Sequence, residues 1–466
     1  MKLGVLPIKE LPQAKPLLKL LGPSFIILGL GLGSGELILW PYLTSIYGLG
    51  IIWGAIVGIT FQFFMNMEIE RYALAKGESV FVGFARKLSF LPYWFILSTF
   101  LPWIWPGIAA SSAKLLGSLF GITQTHYLAV GLLILAGLIL SLGPVLYKTV
   151  ENLQKFLILL GVPIIFGITI YIVLAINPGA AGALAKGVIG IGDGYMFLPI
   201  GIPIATFLAA LAYAGAGGNL NLAQSTYIKE KGYGMGEYAG RITSVLTGKT
   251  ENISLEGADF EMNDTNLTTF NKWWRNINIE HFSIFWVTGA VTILMFALLS
   301  YVTLLHQGNT KSDITFIISE ANVISSVISP FLGVFFLIIA GVMLFATQLT
   351  VLDATSRILS ENIALTLKSV EGRSISKIYY TVLWVQIATG ILILSIGFTE
   401  PLQLVILAAV LNAFAMFVHS GLTLWLNKTS LHKNIQPNLL RITVMTLAFL
   451  FYGGFSIYTV ITRLFY

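Results

Sequence analysis

The sequence predicts an all-α fold, a polytopic membrane helical bundle with eleven transmembrane helices, and three observations support this prediction. Of the 466 residues, 56% are hydrophobic and only 10% are charged, whereas soluble domains carry about 25% charged residues. Apolar runs are long enough to cross about 30 Å of hydrocarbon. No strand-like alternation competes with them. The predicted spans, numbered one to eleven, cover residues 23–47, 50–72, 91–118, 127–143, 154–176, 197–228, 282–305, 326–352, 378–398, 401–426 and 441–463.

The basic residues predict the orientation of these spans. Of the 27 Lys and Arg residues, 23 lie in the N-terminal segment and in the segments that follow spans two, four, six, eight and ten. Because basic residues concentrate on the cytoplasmic side of membrane proteins, we expect a cytoplasmic N-terminus and an external C-terminus, in the plasma membrane. The net charge of +6 is therefore explained by insertion in a lipid bilayer, and we do not expect the protein to bind nucleic acid.

Glycines interrupt two of the predicted spans. Span one contains "ILGLGLGSGELILWPY" at residues 27–42, and span six contains "FLAALAYAGAGGNLNLAQSTYI" at residues 207–228. Interrupted spans at corresponding places of two halves indicate an inverted-repeat transporter with its site between the breaks. We therefore expect both helices to be unwound, near Gly31–Gly35 and Gly215–Gly218. The alternative is that two continuous helices pack closely through small residues.

This pattern divides the chain into two repeats of five spans. The cytoplasmic N-terminal segment covers residues 1–22, and the first repeat, spans one to five, covers 23–176. An outer loop at 177–196 leads to the second repeat, spans six to ten at 197–426, which includes a polar cytoplasmic loop at 229–280. A linker and span eleven occupy 427–466.

The residues of span one resemble those of a known family. "GPSFIILGLGLGSGE" at residues 22–36 resembles the first span of the NRAMP divalent-metal transporters, which begins G-P-x-F and breaks at D-P-G-N. The break positions correspond to Gly33, Ser34, Gly35 and Glu36. In span six the family's M-P-H-N corresponds to Ala216, Gly217, Gly218 and Asn219, and in span eight its A-x-Q resembles residues 346–348. The resemblance implies a LeuT-like 5+5 inverted repeat with broken helices one and six, and a divalent cation as substrate.

This chain departs from the family at the residues that bind metal and move protons. The family's metal-binding Asp and Met correspond to Gly33 and Ala216, and its acidic residues in span three and His in span six are absent. The chain therefore resembles a divergent member without the usual proton pathway. Glu36 is either a replacement cation ligand or a carboxylate that complements the helix dipole. With Asn219, it forms the predicted metal site.

Other polar residues inside the spans complete the predicted site. Asn221, Gln348 and Asn412 are expected to bind substrate together with the residues of both breaks. Thr347 and Thr350 could bind a coupling ion such as sodium, or their hydroxyl groups could bond to their own helix. Asp353 and Arg357 are four residues apart, as expected for an ion pair on one helix face.

The sequence predicts a transporter rather than an enzyme or a sensor. No catalytic constellation is visible, so we do not expect an enzyme or a cofactor. The first hypothesis is a transporter of a hard divalent cation such as manganese or magnesium. The second is an ion-coupled transporter of a small organic solute such as an amino acid, because the G-S-G sequence also resembles transporters of the APC group. A sensor of the kind found in plant ethylene signalling would need a fused cytoplasmic domain.

Overall fold

The computed structural model describes residues 3–142, 146–239, 255–305, 313–367 and 375–465. Within these ranges, ten helical stretches are long and apolar enough to cross a membrane. The predicted sixth span is not among them because it is divided into shorter pieces, so the count of eleven stays a prediction. The α-helical parts of the spans are Pro23–Gly31, Trp40–Tyr47, Trp53–Lys76, Leu91–Trp103, Gly107–Leu119, Thr125–Leu142, Leu146–Ile176, Ile204–Ala212, Ala223–Lys231, Gly289–Thr303, Pro330–Thr366, Ile375–Ser395, Pro401–Ser430 and Leu439–Phe465.

Span six is broken where the sequence predicts. Its first helix ends at Ala212, a 3₁₀ turn covers Gly218–Leu222, and a second helix begins at Ala223. Gly217 and Gly218 have φ angles of 78° and 56°, which side chains with a Cβ rarely adopt. The two glycines therefore allow the chain to leave one helix and enter the next.

Span one is not unwound, so this part of the prediction is wrong. The chain stays helical from Pro23 to Tyr47, and its interruption is a π-helical segment over Leu32–Leu39. Its glycines serve close packing instead. A methyl group on Gly35 would overlap the carbonyl oxygen of Tyr213, and one on Gly31 would lie 2.7 Å from the carbonyl oxygen of Gly215. The glycines of span one therefore let its backbone touch the break of span six.

Span three contains a break that the sequence analysis did not predict. Its first helix ends at Trp103 and its second begins at Gly107. Pro106 precedes the second helix, and proline has no N–H group with which to continue a helix from the preceding turn. A methyl group on Gly107 would lie 2.8 Å from the backbone nitrogen of Val405. The break of span three thus packs directly against span ten.

The predicted cytoplasmic loop at 229–280 is shorter than expected. The second helix of span six continues to Lys231, and a helix over Asp264–His281 runs through a π-helical segment, Phe282–Thr288, into span seven. Part of the loop, residues 240–254, lies outside the described residues. The N-terminal segment packs on the rest: Lys9 donates a backbone hydrogen bond to Asp259, and Trp273 donates its indole N–H to the carbonyl of Pro12.

The predicted outer side carries short elements between the spans. A helix over Ala180–Val188 and a hairpin of Ile191–Gly192 with Tyr195–Met196 lie in the loop before span six. A further helix, Phe316–Val327, precedes span eight.

Glu320, on the helix Phe316–Val327, supports a prediction about pH. Its carboxylate is fully buried and accepts a hydrogen bond from Ser300. Burial raises the pKa of Glu320 to about 8, although the Ser300 hydrogen bond partly opposes the shift. The folded protein thus keeps a proton that the unfolded chain releases near pH 4.5. The stability that this proton contributes is complete below that pH and is lost as the pH rises through about 8.

We expect Glu320→Gln to remove that part of the pH dependence. The melting temperature of the purified protein should fall less between pH 5 and pH 9 in the variant than in the wild type. An equal fall in both proteins would show that Glu320 does not titrate in this way.

Candidate functional site

The backbone groups freed by the break of span six are bound by side chains of other spans. Gln62 of span two accepts a hydrogen bond from the Gly217 N–H at 3.1 Å and donates one to the Ala212 carbonyl at 3.0 Å. His419 of span ten lies 3.0 Å from the Gly218 carbonyl, to which its Nε2–H donates. Both side chains are buried. These carbonyl and amide groups, which were expected to surround a solute, are therefore engaged within the protein.

Two of the predicted substrate-binding residues lie near Tyr213, which precedes this break. Asn412 of span ten donates a hydrogen bond to the Tyr213 hydroxyl at 3.0 Å, and its Oδ1 packs against Gly218 without a hydrogen-bond donor. Gln348 of span eight accepts a hydrogen bond from the Ala109 backbone at 3.2 Å. Gln348 and Tyr213 line the same small cavity.

The asparagines after the break are buried and incompletely bonded. The Nδ2 group of Asn219 donates to Ser98 at 2.8 Å and to Thr99 at 3.0 Å, whereas its Oδ1 has no partner. Neither side-chain polar atom of Asn221 has a partner. Ala216 is fully buried and contributes no polar side chain. Asn219 therefore connects span six to span three through its Nδ2 group, and its Oδ1 is the atom that is available to a ligand.

The two predicted coupling-ion residues have protein partners. Thr347 donates to the Gly29 carbonyl at 2.9 Å and accepts from the Gly33 N–H at 3.1 Å. Thr350 donates to the carbonyl of Ala346 at 2.8 Å, in its own helix, and accepts from Gln154 at 2.7 Å. Thr347 thus joins span eight to span one. Thr350 follows the alternative in which the hydroxyl group bonds to the backbone of its own helix.

Glu36 forms no hydrogen bond with the other proposed ligands. Its carboxylate is fully buried, and neither oxygen has a hydrogen-bond partner, so no bond joins it to Asn219. A methyl group on Gly289 would lie 3.5 Å from Glu36 Oε1 and 2.6 Å from Ile59, so the carboxylate faces spans two and seven. Its neighbour Ser34 bonds to Leu30 in its own helix at 3.5 Å.

The ligands of a divalent cation are not gathered in one place. Among the residues that the structure describes, no group of three or more His, Asp or Glu side chains is placed to hold a metal ion. Hard divalent cations prefer several oxygen ligands, of which carboxylates are the strongest. The donor set around Glu36 therefore does not form a complete site in this conformation.

A cavity beside the breaks of spans three and six was not predicted. Its volume is about 10 Å³, which is room for about one water molecule. The ring of Trp103 is stacked on that of Tyr213, with 5.4 Å between centroids and 13° between planes. The indole N–H groups of Trp103 and Trp105 are buried and have no acceptor. The cavity is lined by Trp103, Trp105, Gly107, Ile108, Tyr213, Gln348, Val351, Val405 and Ala408.

The sequence carried one signal for this cavity. Pro102 and Pro106 flank the sequence W-I-W in span three, and two prolines four residues apart within an apolar run indicate an interrupted helix. No local pattern, however, indicates which other spans approach that interruption.

Ion pairs hold the predicted cytoplasmic ends of spans six and eight together. Arg357 bonds to Asp353 at 2.9 Å, as expected for a pair on one helix face, and also to Glu230 of span six. Lys229 pairs with Glu361 at 3.4 Å. All five side chains are buried, so these charge pairs lie inside the bundle and not in solvent.

The fold is similar to that of solved transporter structures. A manganese transporter of Eremococcus coleocola, in complex with an aromatic bis-isothiourea substituted compound, matches with a TM-score of 0.70 and 12% identity over 98% of this chain and 90% of that chain. MhsT in complex with L-phenylalanine matches with a TM-score of 0.53 and 12% identity, over 96% of this chain and 99% of that chain.

A third similar structure belongs to another transporter family. Mhp1, a nucleobase-cation-symport-1 family transporter with bromovinylhydantoin bound, matches with a TM-score of 0.50 and 12% identity over 98% of this chain and 95% of that chain. No protein-family model matches the sequence, and no curated protein matches it.

These likenesses establish the fold. The chain has the LeuT-like fold. The neighbours named above are transporters and not enzymes, which agrees with the prediction that this protein is not an enzyme. At 12% identity they do not distinguish the NRAMP family from other transporters of the same fold, so membership of that family stays a prediction.

Proposed function

We propose that the protein is a secondary transporter in the plasma membrane that carries a small organic solute. The solute has a flat or apolar body and a hydrogen-bond acceptor such as a carboxylate or carbonyl oxygen. The observation that supports this proposal is the pair of buried indole N–H groups without acceptors, on Trp103 and Trp105, in a cavity with an aromatic stack. A buried donor without a partner costs about 1–3 kcal/mol, which an acceptor on the solute would recover.

The surroundings of the indole groups fit such a solute. Ile108, Val351, Val405 and Ala408 supply apolar contacts, and Gln348 supplies a polar group on the opposite span. Ligand pockets commonly combine an apolar lining with a few placed polar groups. The present cavity is too small for an amino acid, so binding requires the breaks of spans three and six to move apart. The bound L-phenylalanine of MhsT and bromovinylhydantoin of Mhp1 are solutes of this chemical class.

Thermal-shift titration of the purified protein tests this proposal. The ligands are the amino acids, the nucleobases, manganese and magnesium. We expect an apolar or aromatic amino acid, or a nucleobase, to raise the melting temperature, and the two metals to leave it unchanged. Stabilisation by manganese or magnesium alone would overturn the proposal.

A divalent cation is the second candidate substrate, because Glu36 favours it. This carboxylate is fully buried between apolar side chains without a hydrogen-bond partner, and a buried charge without a partner is costly. A cation bound to Glu36 and to the free Oδ1 of Asn219 would compensate that charge. The fold of the manganese transporter is consistent with this candidate.

Glu36→Gln separates the two candidates. The substitution keeps the shape of the side chain and removes its charge. If the cation is the substrate, manganese uptake into liposomes should fall at least about 10-fold, since mutating even a residue that supports a metal ligand lowers metal affinity about 10- to 100-fold. If the organic solute is the substrate, its binding should change less than about two-fold, and the protein should be no less stable. Glu320→Gln, which removes a buried carboxylate outside both candidate sites, is the matched control.

A further inference from the structure

A second group of buried polar side chains lies at the predicted cytoplasmic end of the bundle. Ser24 begins span one, Glu70 is in span two, Gln224 is in span six, and Glu280 and His281 lead into span seven. None of the five is more than 3% exposed. They belong to four spans, and neither the predicted site nor the cavity includes them.

Hydrogen bonds connect these side chains in one line, which we name the inner polar chain. Ser24 Oγ donates to Glu280 Oε2 at 2.5 Å and lies 2.7 Å from His281 Nδ1. The same nitrogen is 3.3 Å from Glu70 Oε1, which accepts a hydrogen bond from Gln224 at 2.7 Å. The order of side chains along the inner polar chain is therefore Glu280, Ser24, His281, Glu70 and Gln224.

Four polar atoms of the inner polar chain are buried without a partner: Glu70 Oε2, Glu280 Oε1, Gln224 Oε1 and His281 Nε2. The His281 ring is stacked between two phenylalanines, with centroid distances of 5.7 Å to Phe63 and 4.7 Å to Phe285. Water is thus excluded from the two faces of the imidazole ring.

The basic groups around the inner polar chain are engaged with other acids. Arg71 and Arg441 bond to Glu68, at 2.9 Å and 3.3 Å. Lys231 bonds to Glu151 at 2.7 Å, and the nearby Tyr233 hydroxyl donates to the Leu20 carbonyl. Among the described residues, neither Glu70 nor Glu280 forms an ion pair with Lys or Arg. Two carboxylates in one buried chain cannot both be charged without a compensating cation or proton.

We propose that the inner polar chain binds the coupling proton of the transport cycle, and that this proton keeps the start of span one attached to spans two, six and seven. The proposal rests on the proposed transport function. When Glu280 carries the proton, the direction of its bond to Ser24 is the reverse of the one given above. The Glu280 O–H donates to Ser24, and the Ser24 hydroxyl donates to His281 Nδ1.

The same hydrogen bonds let the proton move along the chain. Glu280 releases its proton to Ser24 Oγ while Ser24 releases its own to His281 Nδ1, which leaves a carboxylate and an imidazolium. The imidazolium N–H then faces Glu70. When the proton leaves the inner polar chain, Glu70 and Glu280 are both negative and repel each other. Glu280, with Ser24 of span one bonded to it, is then pushed away from Glu70.

The absence of native cysteine gives a direct test. Leu20 is fully buried just before span one, so the maleimide labelling rate of Leu20→Cys reports detachment of this segment. Rates are divided by those of Val5→Cys, which is 98% exposed and corrects for thiol ionisation. We expect the corrected rate to rise at least about five-fold from pH 5.5 to pH 8.5 without any substrate.

Glu70→Gln and Glu280→Gln, each added to Leu20→Cys, should abolish this rise, because a neutral amide cannot lose a proton. Ser24→Ala, which removes the relay hydroxyl, should reduce it, and gel filtration identifies any variant that does not fold. Glu361→Gln is the matched control: it removes a buried carboxylate that is paired with Lys229, and the rise should persist.

Two outcomes would overturn the proposal: a corrected rate that does not change with pH, or a rise that survives in both glutamine variants. Replacing sodium by choline at constant pH distinguishes a sodium site, and a rate that follows sodium rather than pH would also overturn it. Because no substrate is present, these results are independent of the thermal-shift test of the transported solute.

Discussion

Trp103→Phe should weaken binding of the organic solute by about 10- to 150-fold, because it removes the indole N–H and keeps an aromatic ring. This range corresponds to one hydrogen bond to a charged acceptor, about 1.5–3 kcal/mol. Trp103→Ala should weaken binding further, since it also removes the ring stacked on Tyr213. The measurement is the dissociation constant of the amino acid or nucleobase that gives the largest thermal shift.

Trp94→Phe is the control for this prediction. The Trp94 indole N–H also has no acceptor, but its ring packs on Phe414, with 6.1 Å between centroids, and does not line the cavity. Binding should change less than about two-fold in this variant. Equal losses in Trp94→Phe and Trp103→Phe would show that the effect is a general one on the fold.

Gly35→Ala should destabilise the protein strongly and abolish transport. The added methyl group would overlap the Tyr213 carbonyl oxygen, a backbone atom that cannot turn aside as a flexible side chain does. Overpacking a core costs about 1–3 kcal/mol, and more where the obstacle is rigid. We expect a loss of about 3 kcal/mol or more, seen as a large fall in melting temperature or in the folded yield.

Gly131→Ala and Gly167→Ala are matched controls, because both glycines lie inside helices and a methyl group there would meet no atom within 4 Å beyond the adjacent backbone of its own helix. Alanine favours a helix over glycine by about 1 kcal/mol, so these variants should be as stable as the wild type or more stable. If Gly35→Ala were equally stable, span one would not pack on span six as described.

The sequence was sufficient to predict the apolar spans and the break in span six. A long apolar run needs only composition and length to be recognised, and adjacent glycines such as Gly217 and Gly218 indicate a change of backbone direction at that position. The same reasoning failed for span one, because a glycine that permits a positive φ and a glycine that permits close contact look identical in sequence. Gly35 is of the second kind, and its partner is almost 180 residues away.

The contacts of the site could not be predicted from sequence as the spans could, because its groups are brought together by long-range packing. Gln62 and His419 bind the backbone at the break of span six, although neither lies near it in sequence. Glu36 was the central residue of the predicted metal site, yet no hydrogen bond connects it to Asn219. Span three was noted only for its missing acidic residues, whereas in the structure the ring and N–H group of Trp103 form one wall of the cavity.

The most direct test is a structure of the protein with its bound substrate, determined once with the stabilising organic solute and once with manganese. The account predicts density for the solute against the Trp103 ring, with its acceptor atom within hydrogen-bond distance of an indole N–H. It also predicts no anomalous signal from manganese between spans one and six. An anomalous peak bound by Glu36 and Asn219, with the aromatic cavity still closed, would contradict it.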